Sequence, residues 1–413
     1  MPFPAPLLIA DLAFLHPQTQ DMTTHHVPAK PPIWNNPQVR AVAFQVIALI
    51  VTVAFGLYIF ENTQVNLRRL GIASGFDFLS SPAGFDIIQS LVPYSASSSY
   101  GQVFWVALFN TLLVAALGVI LATLLGFVIG VARLSKNWLI ARLALIYIET
   151  FRNIPLLLQI FFWYFAVLRA MPSPRQSLNL GDTAFLNIRG LYLPAPQFEP
   201  GFGWVLAALG IAVILITLLV RWARQRQAAT GQQFPVVSAG LALLMGLPLL
   251  TFWLAGSPLH WQVPELQGFN FRGGWVIIPE MASLLLALTI YTAAFIAEIV
   301  RAGIQAVSHG QTEASFSLGI NSGKTLRLII LPQALRVIIP PLTNQYLNLT
   351  KNSSLAVAIG YPDLVSSFAG TVLNQTGQAI ECIVITMAVY LSISLLISLL
   401  MNLYNRRVAL VER

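Results

Sequence analysis

Apolar residues in this chain gather into runs of roughly twenty, the length that crosses the ~30 Å hydrocarbon core of a bilayer. Eight such runs can be read, at residues 42–60, 104–131, 143–167, 204–220, 236–254, 281–300, 337–355 and 382–403. Each reads as a helix, because only a helix pairs its own backbone groups in lipid. The seventh run is interrupted by Pro340-Pro341 and by polar neighbours, and is expected to be a broken helix. Residues 1–40 are Pro-rich and unpatterned and read as a polar tail. They contain no basic stretch with a cleavable apolar core, so the first run is expected to be retained. The predicted fold is all-α and polytopic. It comprises the tail, a first span with an outer loop at 41–103, and a block of seven further spans at 104–413 that includes a two-helix segment at about 170–280.

Composition agrees with that pattern. Hydrophobic residues make up 56% and charged residues 9% of the chain, with a mean hydropathy of +0.73. A soluble domain carries about 25% charged residues. The net charge of +8 could suggest nucleic acid as a partner, but its distribution points to topology. With the N-terminus inside, fifteen of the 23 Lys and Arg residues fall in inner segments and six in outer ones. Both termini and the 301–336 connector are therefore expected in the cytoplasm, and the acidic residues Glu61, Asp77, Asp182, Glu199 and Glu265 outside. The outer segments at 62–101 and 169–203 are rich in Pro, Gly and aromatics. They are open to reading as interfacial helices, as a docking rim or as plain solvated loops. A single cysteine, Cys382, excludes an internal disulfide, and five scattered histidines offer no metal-binding spacing.

One polar connector stands out, E-A-S-F-S-L-G-I-N-S-G-K-T-L-R-L-I-I-L-P at 313–332. It reads as a helix opening at Thr312-Glu313, a left-handed close at Gly319 and a second helix capped by Ser322 and running up to Pro332. The G-I-N-S-G-K-T within it, at 319–325, is not a phosphate-binding loop. Such a loop has four residues between its glycines where this one has three, and no strand leads into it.

Ionisable residues inside spans cost about 2.5–3.5 kcal/mol on insertion scales and mark pathways or partners. Glu149 and Arg152 share a helix face in E-T-F-R-N-I-P, where Pro155 frees the carbonyl of Phe151. They read either as an internal ion pair or as groups facing a translocation path. Glu298 and Arg301 are expected to pair near the inner interface. Lys351, with Asn352, Ser353 and Ser354 beside it, forms a cationic polar island suited to an anionic head group such as an α-carboxylate. Asn110-Thr111 reads equally well as a cap or an interhelical hydrogen bond.

Together, the connector, E-T-F-R-N-I-P-L-L-L-Q, Y-T-A-A-F-I-A-E-I-V-R-A-G at 291–303 and L-T-K-N-S-S-L at 349–355 resemble the polar amino acid permeases of ATP-binding-cassette importers. The enlarged layout is similar to the general L-amino-acid (Aap/Bzt) type, and Ser315 stands where the family's "EAA" loop usually has a second Ala. The resemblance covers residues 104–167 and 281–404. It implies a type I importer core of five helices in the inner membrane. The connector would dock on a separate ATPase dimer through Glu313, Ala314, Gly319, Asn321, Ser322, Lys324 and Pro332. It also implies a second, paralogous permease subunit and a periplasmic amino-acid-binding protein. ATP would be used by the partner, with no cofactor bound by this chain. Substrate contacts are expected at Lys351, Asn352, Ser353, Glu149 and Arg152. A proton-coupled secondary transporter is the alternative. It predicts an internal repeat, which the two halves do not show. For an intramembrane enzyme the sequence offers no nucleophile–base pair.

Overall fold

The computed structural model describes residues 37–69 and 75–408. The chain divides into two units, residues 1–72 and 73–413. The described part of the first is one helix, α1 (Pro37–Arg69), whose apolar side chains are exposed along its length. The predicted tail at 1–40 falls almost wholly outside the described residues.

The second unit is built from α2 (Tyr100–Arg133), α3 (Trp138–Asn153), α4 (Leu156–Phe161), α5 (Phe202–Thr230), α6 (Val236–Leu254), α7 (Pro279–Gln305), α8 (His309–Ser317), α9 (Ser322–Thr325), α10 (Leu331–Asn352), α11 (Leu373–Thr376) and α12 (Ala379–Val408). Seven helices among the described residues are long and apolar enough to cross a membrane, or eight if α3 and the helix after it form one bent span.

Two of the expected spans take a different course. The third breaks at Ile154-Pro155, where α3 and the following helix bend by 104°. Proline supplies no N–H, and the carbonyls left open are taken by the Gln159 amide, which donates to Phe151 O and Ile154 O at 3.0 Å each. In the seventh, Pro340-Pro341 lie inside α10 and do not end it. That helix is continuous with α9 through a wide π turn at Leu326–Ile330, so one rod runs from Ser322 to Ile359. Packing on neighbours holds it through the two prolines.

The centre of the unit is the contact between α2 and α7. Gly118, Ala122, Gly126 and Gly130 recur every fourth residue on α2, and Gly126 and Gly130 are where α7 comes closest. A Cβ on Gly126 would lie 2.6 Å from Ile296 Cβ and 2.9 Å from Ala293 O, and one on Gly130 would lie 2.7 Å from Ala297 O. Lipid tails are as apolar as leucine, so helices in a bilayer gain by close approach of small residues, and this spacing provides it. Gly303 and Gly118 admit α10 in the same way, against Ile338 and Leu349.

At the far end from α8–α9, the segment between α4 and α7 carries eight short strands. They are β1 (Leu178–Leu180), β2 (Ala184–Asn187), β3 (Gly190–Leu193), β4 (Ala195–Phe198), β5 (Leu259–Gln262), β6 (Glu265–Gln267), β7 (Asn270–Arg272) and β8 (Trp275–Ile277). An antiparallel sheet in the order β1-β2-β3-β8 is joined by the ribbons β4–β5 and β6–β7. Phe271 stacks on Phe185 at 4.5 Å beneath Tyr192. The segment at 169–203, predicted as loop or interfacial helix, thus forms a small β lobe with residues 259–277, an addition to the all-α membrane part. In the other outer segment, at 62–101, the described residues between α1 and α2 carry a short 3-10 turn at Asp77–Ser80. The α5–α6 pair springs from the β4–β5 ribbon.

Candidate functional site

Two parts of the chain depart from the rule that exposed positions of a membrane helix are apolar. One is the α8–α9 elbow and the other a polar stripe on α10.

The elbow helix opens three residues before the expected point, at His309, with Ser308 preceding it and no side-chain cap. Glu313 is therefore in its second turn, where its carboxylate meets His309 Nδ1 at 3.0 Å. Gly319 closes the helix at φ +72°, in the left-handed region, with Gly319 N donating to Phe316 O. Asn321 takes the capping role expected of Ser322. Its Oδ1 accepts from Lys324 N at 3.0 Å, and Ser322 is the first helical residue. The second helix passes through Pro332 into α10 and does not stop there. Ser315 and Thr325 are buried and share a 2.6 Å hydrogen bond that clasps the two arms together. Sequence reading treated Ser315 only as a departure from alanine; a second hydroxyl ten residues on was the signal available. Glu313, Ala314, Gly319, Asn321, Ser322, Lys324 and Pro332 all lie exposed. Phe316 and Leu318 are exposed beside them, Leu318 by 78%.

On α10, Pro341, Asn344, Asn348 and Lys351 are exposed at three- and four-residue spacing, one helix face. Leu349 meets Gly118, near the middle of α2, so Lys351 lies at about mid-height of the bundle. Asn352 is half-buried and Ser353 buried, its hydroxyl donating to Thr350 O at 2.7 Å.

Seven residues nearer the elbow, α3, α7 and α10 enclose a pocket of about 320 Å³ lined by Arg152, Phe295, Glu298, Pro341, Asn344 and Gln345, among others. The Arg152 guanidinium lies 5.2 Å from the centre of the Phe295 ring. Arg301 holds Glu298 in a two-point fork, with Nε to Oε2 at 3.0 Å and Nη2 to Oε1, and also reaches Gln305. Glu149 and Arg152 form no ion pair among the described residues. Both are exposed, and Glu149 lies outside the pocket. The structure thus gathers Arg152 with Glu298, Asn344 and Gln345 and leaves Lys351 and Glu149 elsewhere. That Arg152 and Glu298, 146 positions apart, line one pocket has no local signature in the sequence.

Beyond the end of α10, Asp363 is fully buried. It accepts from Ser366 N at 2.7 Å and from the Tyr390 hydroxyl at 3.4 Å, and burial pushes its carboxyl up to about 7. Asn110 and Thr111 brace the same turn. Asn110 donates to Pro362 O and Gln89 O, and Thr111 Oγ1 accepts from Leu364 N.

A long helical bundle with close-packed small residues, a polar stripe at mid-height and an exposed elbow defines a transport permease, and comparison with known proteins gives the family. Residues 232–410 match the binding-protein-dependent transport system inner membrane component. The chain belongs to this family. It is 60% identical over 378 residues to the putative amino-acid ABC transporter permease protein YhdX of Escherichia coli (strain K12), covering 92% of this chain and 96% of that protein. It is 53% identical over 92% of its length to the general L-amino acid transport system permease protein AapQ of Rhizobium johnstonii, 94% of which is covered. The glutamate/glutamine/aspartate/asparagine transport system permease protein BztB of Rhodobacter capsulatus is 44% identical over 91% of this chain and 95% of its own.

Proposed function

We propose that this chain is a membrane-spanning subunit of an ATP-driven importer of polar L-amino acids in the inner membrane, working with a separate ATPase dimer, a second and paralogous permease subunit and a periplasmic amino-acid-binding protein. One observation carries the reading. The exposed elbow, with Phe316 and Leu318 on its surface, continues without interruption into the helix that bears the polar stripe. Exposed apolar side chains on a polar connector suit a protein groove. Force received there is transmitted along a single rod to the level of Lys351. The elbow and both termini are assigned to the cytoplasm, where ATP is, by the excess of Lys and Arg. The β lobe is assigned to the outer face. Lys351, Asn352, Ser353, Glu149 and Arg152 are assigned to the path and the elbow residues to ATPase docking.

Purification in mild detergent should bring an ATPase and a second permease with this chain. Replacing Gly319 by Val strains the left-handed close, a conformation costly for a β-branched residue. Gly319→Val should cut both ATPase recovery and uptake while the protein still inserts. Wild-type recovery and uptake in that variant would refute the coupling assignment.

A further inference from the structure

The pocket beside α3 holds an unbalanced charge. Both oxygens of Glu298 are engaged by Arg301. Arg152 makes no ion pair among the described residues. Its guanidinium rests on Phe295 with its N–H groups open to the pocket. Asn344 and Gln345, on the facing side, make no side-chain hydrogen bond among the described residues and offer amide donors and acceptors. One cation in excess, a planar fork of donors and two free amides form a receptor for a carboxylate.

We infer that the Arg152 pocket is an anion station where the carboxylate of the transported amino acid pauses between the mid-height polar stripe and the elbow end. Arg152 provides the bidentate contact and Asn344 and Gln345 complete the shell. The Glu298 carboxylate, still able to accept further hydrogen bonds, lies within the same lining for the α-ammonium. Arg301 acts as a positioning residue that holds Glu298 aimed. The station is distinct from Lys351, which stands seven residues and about 10 Å further along α10. The inference rests on the importer reading for the identity of its ligand, and on the pocket alone for its charge preference.

The test uses the whole complex in vesicles, carrying as a reporter Ala302→Cys, a lining position outside the proposed shell. Cys382, the native cysteine, is fully buried and should remain silent. An anionic methanethiosulfonate should modify Cys at position 302 about tenfold faster than a cationic one, the order that one charge a few ångströms away supplies at intermediate dielectric. Arg152→Gln should abolish that preference, and Arg152→Lys should keep it. An α-amino acid should slow the labelling, whereas the amine lacking its carboxylate should not. The slowing is read on protein with Arg152 intact, so it decides the matter even where Arg152→Gln fails to assemble. Equal rates for the two reagents, or protection by the amine as strong as by the amino acid, would overturn the station. A wild-type complex without amino-acid uptake would instead overturn the importer reading and take the ligand's identity with it. Uptake with equal labelling rates overturns the pocket alone.

Discussion

The pairing of α2 with α7 and that of α5 with α6 both bring together long apolar helices, yet they differ in how closely the helices approach. In the best span window of α7, 61% of residues are buried, against 11% in α5 and 6% in α6. The first contact has a small residue at every fourth position, so that side chains of one helix reach the backbone of the other. The second is set by Ala208, Ala212, Ala223 and Gly240, and the remaining faces are apolar and open. Hydrophobicity alone therefore places a helix in the bilayer and leaves its neighbours unspecified. Shape at a few small positions decides which helices form the bundle.

Glycine substitutions can break that contrast. Gly126→Leu should have the largest effect, because even a single carbon there falls within 3 Å of the α7 backbone and of Ile296. Loss of most of the folded protein from membranes, followed by immunoblot and by recovery of the complex, is expected. Gly303→Ala should be intermediate. Its Cβ would meet Ile338 Cγ1 at 2.2 Å, and a side-chain shift can relieve part of the overlap. Overpacking of this kind costs about 1–3 kcal/mol, visible as lower thermal stability in detergent. Gly240→Ala in α6 should be smallest, since its nearest neighbour, Ile216, would be 3.8 Å away. There the helix propensity of alanine, about 1 kcal/mol over glycine, should leave stability equal or slightly raised. Equal damage at Gly126 and Gly240 would sink the distinction between the two pairs.

Asp363 offers a further comparison, outside both pairs. Its folded pKa lies above the ordinary carboxylate value, so the stability its neutral form supports is present below about pH 4 and is lost as pH rises through about 7. Asp363→Asn keeps the side-chain acceptor for Ser366 N and should flatten the fall in thermal stability between those limits. A curve with the same slope as wild type would show that Asp363 does not titrate in that range.

The sequence made most of the membrane part legible, because run length and charge asymmetry are coarse signals that survive local detail. It misplaced the two proline sites for one reason: a proline's effect is settled by what neighbours supply. At Pro155, Gln159 stabilises the open carbonyls and the chain turns. At Pro340-Pro341, packing of Ile338, Ile339 and Leu342 keeps the helix whole. The strands escaped notice because each is three or four residues long and flanked by turns, too short for alternation to register. In the elbow, Gly319 was readable since a left-handed close has a strong residue preference. The helix start was not, because Ser308 makes no side-chain cap. Arg152 and Lys351 could be recognised as unusual charges, but only the fold shows which of them shares a pocket with Glu298.

The π turn at Leu326–Ile330 has a consequence for how this chain can change through descent. Elbow and stripe belong to one rod, so the number of residues between them fixes the compass bearing of Asn344, Asn348 and Lys351. Adding or losing one residue there would rotate the stripe by about 100° and turn amides and an ammonium toward lipid. The segment between Leu168 and Pro279 carries a helix hairpin joined to a β lobe by the β4–β5 ribbon. Insertions should thus accumulate freely in that segment and be purged between Thr325 and Asn344, leaving one part of the gene elastic in length and the other clocked to the residue.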